Sequence, residues 1–250
     1  MIREKIPQNL KSGIHRLKNT ISDFSKGYTF SYAKTRNIDR PTCKAFSVTQ
    51  DLKSNEFKTH NISIAKSSIE TIVILPNEIF SFWKVVGEPS EKRGFVKSRS
   101  LINGKTIESY GGGLCQLSGM IYLASIHCGL GVIERHNHSV DIYDESTRYM
   151  PLGGDAAVAY GYKDLKIRNN LESSICFEII VNKHTVSLSI LHTYKIKIND
   201  VKFIITHESD DIKVVDTMIN NKIGSISTYK IGIPKKSPNM NKPTITSSIL

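Results

Sequence analysis

The sequence predicts an α+β fold: a mainly antiparallel sheet packed by one cysteine-bearing helix, with a helical extension at the N-terminus. Three observations lead there. A helical run follows Gly111-Gly112-Gly113 directly, with Leu114, Leu117, Ile121, Ala124 and Cys128 at 3, 4, 3, 4 spacing. Alternating segments flank Asn103-Gly104 and Asn182-Lys183, the turn chemistry of antiparallel hairpins. An amphipathic run of Leu10, Ile14, Leu17, Ile21 and Phe24 opens the chain.

In chain order, that first run carries Lys11, Arg16, Lys18 and Lys26 between its apolar positions and reads as a basic helix. The favoured reading packs its stripe onto the domain and leaves the lysines in water; the alternative lays residues 10–26 on an anionic membrane surface. Residues 25–58 are polar and poorly periodic, a connector with at most short strands. A second helix is expected from about Asn61, with Ile62, Ala65, Ile69, Ile72 and Val73 as its stripe and Pro76-Asn77 as its stop. Glu78 to Trp83 alternates as a strand and holds the single tryptophan. The Asn103-Gly104 hairpin then feeds the glycine turn and the helix that ends at Cys128-Gly129. Val132 to Val140 reads as a strand, Asp155 to Tyr160 as a strand start, and Asp164 to Asn170 as a further alternating segment. Residues 196–233 continue in short β-like runs. The expected organisation is a basic helix and connector over 1–58, a central domain over 59–195, a β extension over 196–233 and a disordered tail over 234–250.

The formal charge of +11 is concentrated at the ends: residues 1–40 hold nine Lys/Arg against three Asp/Glu, and residues 234–250 hold three against none. The body is nearly neutral, and no aromatic and basic interleaving of the kind single-strand binders use is present, so nucleic acid is not an expected partner. Cysteines 43, 115, 128 and 176 form no CxxC pair, which fits a reducing compartment. The N-terminus lacks the apolar core of a signal peptide and no apolar run is long enough to span a bilayer. The expected location is cytoplasmic, with peripheral membrane contact as the variant.

Chemistry points to Cys115. It stands in the first turn of its helix, where unpaired N–H groups and the dipole favour a thiolate, and the glycines before it allow close backbone approach. On that helix it shares a face with Ser118, Gly119 and Tyr122, read as a surface kept low by small residues. A thiol nucleophile needs a base and a group to orient that base. Downstream lie His136 and His138, on one face if the segment is a strand, and then Asp155 after a Gly-Gly turn. Cysteine at a helix start with histidine and acid on later strands is the arrangement of papain-like and transglutaminase-like enzymes. The same residues permit two other readings: zinc held by the His-x-His pair, or Cys115 as a small buried hydrophobe.

The segments Phe80 to Trp83, Gly111 to Ser118, Glu134 to Ser139 and Asp155 to Asn169 resemble, in this order, the signature blocks of the VanW-like family, over roughly residues 60–192. The resemblance implies a bacterial protein associated with cell-wall metabolism and linked to vancomycin resistance. Within it His138 matches the family pattern better than His136. The resulting expectation is a thiol-dependent acyl transferase or amide hydrolase acting on a peptidoglycan-related peptide or precursor, without a cofactor and with no metal assigned. Cys115 is the nucleophile, His138 the base, Asp155 its orienter, and the N–H or side chain of Gln116 an oxyanion donor. Gly111, Gly112, Gly113, Ser118, His136, Trp83 and Tyr160 are the expected substrate contacts. The alternative is a non-catalytic accessory protein that uses the same cleft for binding.

Overall fold

The structure is a computed structural model that describes residues 8–53, 55–102, 105–141, 148 and 150–232. Helix α1 (Gln8–Ser25) precedes strand β1 (Cys43–Asp51) and helix α2 (Glu56–Ile69). Then come β2 (Val73–Ile74), β3 (Ile79–Ser81), a short helix α3 (Phe82–Val86) and the hairpin of β4 (Lys97–Ile102) and β5 (Lys105–Tyr110). Helix α4 (Leu114–His127) leads into β6 (Gly131–Glu134), β7 (Val140–Asp141) and β8 (Lys166–Arg168). The chain closes with the hairpin of β9 (Ile175–Val181) and β10 (Thr185–His192) and the meander β11 (Val201–Glu208), β12 (Ile212–Ile219) and β13 (Lys222–Ile231).

The α+β class holds, but the strands divide among several sheets. They are ordered β1-β10-β9-β2, β11-β12-β13-β7, β3-β8-β6 and β4-β5, and every pairing is antiparallel except β13 with β7. Helix α4 is apolar all round and is buried almost throughout, against the first sheet on one side and residues 150–158 on another. Its Cys115 face is therefore covered: Ser118 and Tyr122 are 0% and 2% exposed. Gly119 makes that cover possible, since a Cβ there would stand 3.1 Å from the Met150 side chain and 3.5 Å from the Ala156 nitrogen.

Several expectations need correction. The connector holds a nine-residue strand, β1, whose register against β10 places Ser47 opposite Ser189 and Thr49 opposite Ser187. Each of those hydroxyl pairs is hydrogen-bonded at 2.8 Å, so one face of the strand is polar by design and hides the alternation. Helix α2 starts earlier than expected, because Asn55 caps it by accepting from the Lys58 N–H at 3.0 Å. Ile72 and Val73 lie beyond it, Val73 opening a strand. Trp83 belongs to α3, which begins where Ser81 caps the Lys84 N–H, so the strand stops at Ser81. The strand expected over 132–140 ends at Glu134, and Asp155 to Val158 joins no strand ladder, with Ala159 making an isolated bridge to Lys163 and Tyr160 in a turn. Helix α1 forms as expected, yet its apolar stripe faces outward. The Asn103-Gly104 turn and the 234–250 tail lie outside the described residues, although β4 and β5 pair up to Ile102 and Lys105 as that turn requires.

The glycine turn is held by a residue that periodicity alone does not single out. Asn61 in α2 is fully buried; its amide donates to the carbonyls of Val96 and Gly112 at 3.0 and 3.2 Å and accepts from the Val96 N–H at 2.9 Å. Gly113, at φ 100°, caps α4 and lies against Ile62 and Lys58 of α2, where any Cβ would be crowded at 3.3 Å. Replacing Asn61 by Ala strands buried polar groups at both neighbours. Urea denaturation of Asn61→Ala is expected to show a loss of roughly 2–4 kcal/mol; a loss no larger than that of an exposed substitution on α2 would refute this role.

Candidate active site

The start of α4, the chain after β6 and residues 150–163 surround a cavity of about 490 Å³. Cys115 lies on its wall as the second residue of α4, part-buried, with Sγ 3.4 Å from the Val158 carbonyl to which the thiol donates. No acceptor is found among the described residues for the backbone N–H groups of Cys115 and Gln116, as expected for a first helical turn. The other helix cysteine is inert by environment: burial pushes the Cys128 thiol up to about 12.

His138 stands between this thiol and Asp155. Its Nδ1 is 2.6 Å from Asp155 Oδ2, and the same oxygen accepts the His138 backbone N–H at 2.7 Å, so ring and main chain are fixed together. Burial disfavours the imidazolium, but hydrogen bonds to Asp155 and to Cys115 outweigh it and raise the His138 pKa to about 10. Asp155 is itself braced. Its Oδ1 accepts from Arg135 Nη2 at 2.9 Å and from the Tyr229 hydroxyl at 2.5 Å. Burial opposes the carboxylate; the His138 hydrogen bond and the Arg135 charge prevail and keep its pKa below the usual value. Burial, reinforced by the charge of Asp155, pushes the Tyr229 hydroxyl well up, so it remains a donor.

The brace draws on distant parts of the chain. Arg135 also donates to Ser227 Oγ at 2.6 Å and to the Gly153 carbonyl at 3.0 Å, and the Gly153 N–H donates to the Tyr229 oxygen at 2.7 Å. Gly153 has φ 88°, and a Cβ there would meet Phe203 of β11 at 2.8 Å, so glycine lets the turn before Asp155 sit on the C-terminal sheet. Arg135, Tyr229 and that sheet were not identified as site components from sequence. Arg135 sits beside the histidines in the motif, whereas Tyr229 carries no local signal.

The remaining sequence candidates divide. Gly111, Gly112, Gly113, Trp83 and Tyr160 line the cavity, with Trp83 and Tyr160 edge to face at 5.6 Å. Gln116 lines it too, but its side-chain amide is spent on the Asp51 carbonyl at 3.0 Å, which leaves its backbone N–H as the available donor. Ser118 is a correction: its buried hydroxyl donates to the Ala156 carbonyl at 2.6 Å and sits behind the cavity wall. His136 is another, since the chain leaves the strand at Glu134 and the ring turns to Glu134 at 3.0 Å instead of joining His138. Among the described residues no group of three or more His, Cys, Asp or Glu is arranged to hold a metal ion. The sequence reading missed the cations of the lining, Lys58, Arg148 and Lys163; Lys58 of α2 has its pKa lowered by burial and by nearby Lys53, while Cys115 acts in the opposite sense.

Two outcomes follow from this geometry. Tyr229→Phe removes the hydroxyl from both Asp155 and the Gly153 N–H, and is expected to cost about 1–3 kcal/mol in a denaturant titration; an unchanged midpoint would show that the contact carries no weight. The His138 pKa rises on folding from 6.5 to about 10, so its contribution to stability is complete below about 6.5 and declines as pH rises towards 10. The stability gap between wild type and His138→Gln should therefore narrow over that window, and a gap that widens with pH would contradict the charged contact.

Comparison with known proteins agrees with the family resemblance. A family model described as VanW like protein matches residues 57–191. The uncharacterized protein YoaR of Bacillus subtilis (strain 168) is 34% identical over 128 residues, which is 51% of this chain and 41% of that protein. The vancomycin B-type resistance protein VanW of Enterococcus faecalis (strain ATCC 700802 / V583) is 31% identical over 122 residues, 49% of this chain and 44% of that protein. The similarity thus spans less than half the length of each of these curated relatives. No solved structure matches. With the family model covering more than half of its residues, from α2 to β10, the chain belongs to the VanW-like family.

Proposed function

We propose that this chain is a thiol-dependent acyl transferase or amide hydrolase, with Cys115 as nucleophile, His138 as its proton partner and Asp155 as the orienting carboxylate. One observation carries the reading: His138 is held at 2.6 Å by a braced, buried carboxylate and lines the same cavity as the Cys115 thiol. In an acyl-transfer triad a buried carboxylate holds the imidazole in one tautomer and orientation, and the fixed Asp155 is suited to that role. The raised pKa puts the resting proton on His138, so the imidazolium is ready to act as an acid.

In the reaction the Cys115 thiol first gives its proton to solvent, leaving a thiolate beside the His138 imidazolium, and Sγ then forms a bond to the carbonyl carbon of an amide as the carbonyl π pair moves onto oxygen. The oxyanion faces the free N–H groups of Cys115 and Gln116 at the start of α4. The C–N bond breaks, its electron pair stays on nitrogen, and His138 gives that nitrogen its proton. Water or an incoming amine then attacks the thioester, loses a proton to His138 and releases the sulfur. The similarity to a vancomycin B-type resistance protein, with the cell-wall association that the family resemblance implies, supports reading the substrate as a peptidoglycan-related peptide or precursor.

A binding role has its own support, because the thiol spends its hydrogen on Val158 O. Alkylation separates the two. With iodoacetamide near neutral pH and peptide mapping, Cys115 should react far faster than buried Cys128, and His138→Ala should slow it by roughly tenfold or more. Cys115 that reacts no faster than a free thiol, and at an unchanged rate in His138→Ala, would remove the enzyme reading in favour of the binding one.

A further inference from the structure

Helix α1 turns its apolar stripe to the outside. Ile14, Leu17, Ile21 and Phe24 are 42%, 62%, 59% and 62% exposed, and Phe30, with its ring 6.0 Å from that of Phe24, is 79% exposed. This orientation is enforced from the opposite face. Asp23 is buried there, 2.7 Å from Lys166 Nζ and accepting the Tyr32 hydroxyl at 2.7 Å. Beside it the Arg16 guanidinium lies 5.1 Å over the Tyr160 ring, and the His15 ring lies 4.8 Å from that of Tyr162. Rolling the helix to bury its stripe would pull Asp23 away from both Lys166 and the Tyr32 hydroxyl and break a buried ion pair. The stripe is therefore a fixed outer surface.

Its surroundings are basic. Between residues 8 and 34 the chain has Lys11, Arg16, Lys18, Lys26 and Lys34, and its one acid, Asp23, is neutralised in the buried pair. At 100° per residue Lys11 and Lys18 stand on the flank of the stripe, where their stems can lie along apolar surface with the ammonium groups at its edge.

We infer that α1, together with Phe30, docks the chain peripherally on an anionic lipid bilayer, the helix lying in the plane of the interface with its apolar side chains among the headgroups. Charge selects this partner. Several cations with no exposed acid between them match a surface of uniform negative charge. A protein groove that takes an amphipathic helix normally encloses it from several sides, and here the inner side is already bonded to the domain. Among the described residues no helix is long and apolar enough to cross a membrane. The inference is independent of the chemistry in the cleft, though it places Tyr160 and Tyr162 of the cavity wall about one helix diameter, ~10–12 Å, from the lipid.

The test is co-sedimentation of the full chain with vesicles of phosphatidylglycerol and phosphatidylcholine, compared with phosphatidylcholine alone. Binding should favour the anionic vesicles by roughly tenfold at low salt and weaken as salt is added. Leu17→Glu/Phe24→Glu alters exposed positions only; it should keep the wild-type circular dichroism spectrum and lose that binding, and Lys11→Glu/Lys18→Glu should bind more weakly. Absence of wild-type binding to anionic vesicles, or binding that both double variants retain, would overturn the inference. So would a wild-type dimer in analytical ultracentrifugation that Leu17→Glu/Phe24→Glu dissolves, since the stripe would then join two copies of the chain.

Discussion

A single buried carboxylate, Asp155, sets the terms for the centre of this molecule. Taking such a charge out of water costs several kcal/mol unless it is paired and fully hydrogen-bonded. Here the compensation comes from His138, Arg135 and Tyr229, which donate from the chain beyond β6 and from β13. Each donor obliges its own segment to stay in place. The C-terminal sheet is thereby tied to the loop that carries the histidine, and the turn at Gly153 is pinned between them.

A second set of constraints brings Cys115 to that carboxylate's histidine. Glycine at 113 starts α4 against α2, Asn61 secures the turn, and Gly119 lets the Asp155-Ala156 backbone lie close on the helix. The Ser118 hydroxyl then bonds the Ala156 carbonyl, so the helix and the extended chain are joined one turn beyond the thiol. Small residues thus work here as spacers between backbones and not as the floor of an open surface. Packing of this kind holds the start of α4 and residues 155–156 in position with little freedom to lose.

A comparable arrangement fixes α1. Lys166 in β8 lies between Asp23 at 2.7 Å and Glu134 at 3.0 Å, and Glu134 accepts from His136 and from the Asp164 N–H, each at 3.0 Å. Although burial works against it, these donors keep Glu134 ionised, with its pKa down at about 2. The N-terminal helix, the His136 segment and the Trp83 region meet in this network, which adjoins the cleft without opening into it. His136, the neighbour that sequence could not separate from His138, belongs to it.

By itself the sequence determined what short-range physics controls: the glycine turn and helix that carry Cys115, the β4–β5 and β9–β10 hairpins, the basic amphipathic helix, and His138 and Asp155 as candidate partners of the thiol. Positive φ, capping and hydrophobic period act over a few residues and can be read there. Only the tertiary structure decided which histidine meets the acid, that Ser118 is buried behind the cleft, that β1 is a strand, and that the stripe of α1 faces out. Each depends on a partner far along the chain: Tyr229 is 74 residues from Asp155, Ser189 is 142 from Ser47, and Lys166 is 143 from Asp23. A buried polar group must find its counterpart wherever packing delivers one, and no local pattern encodes that choice.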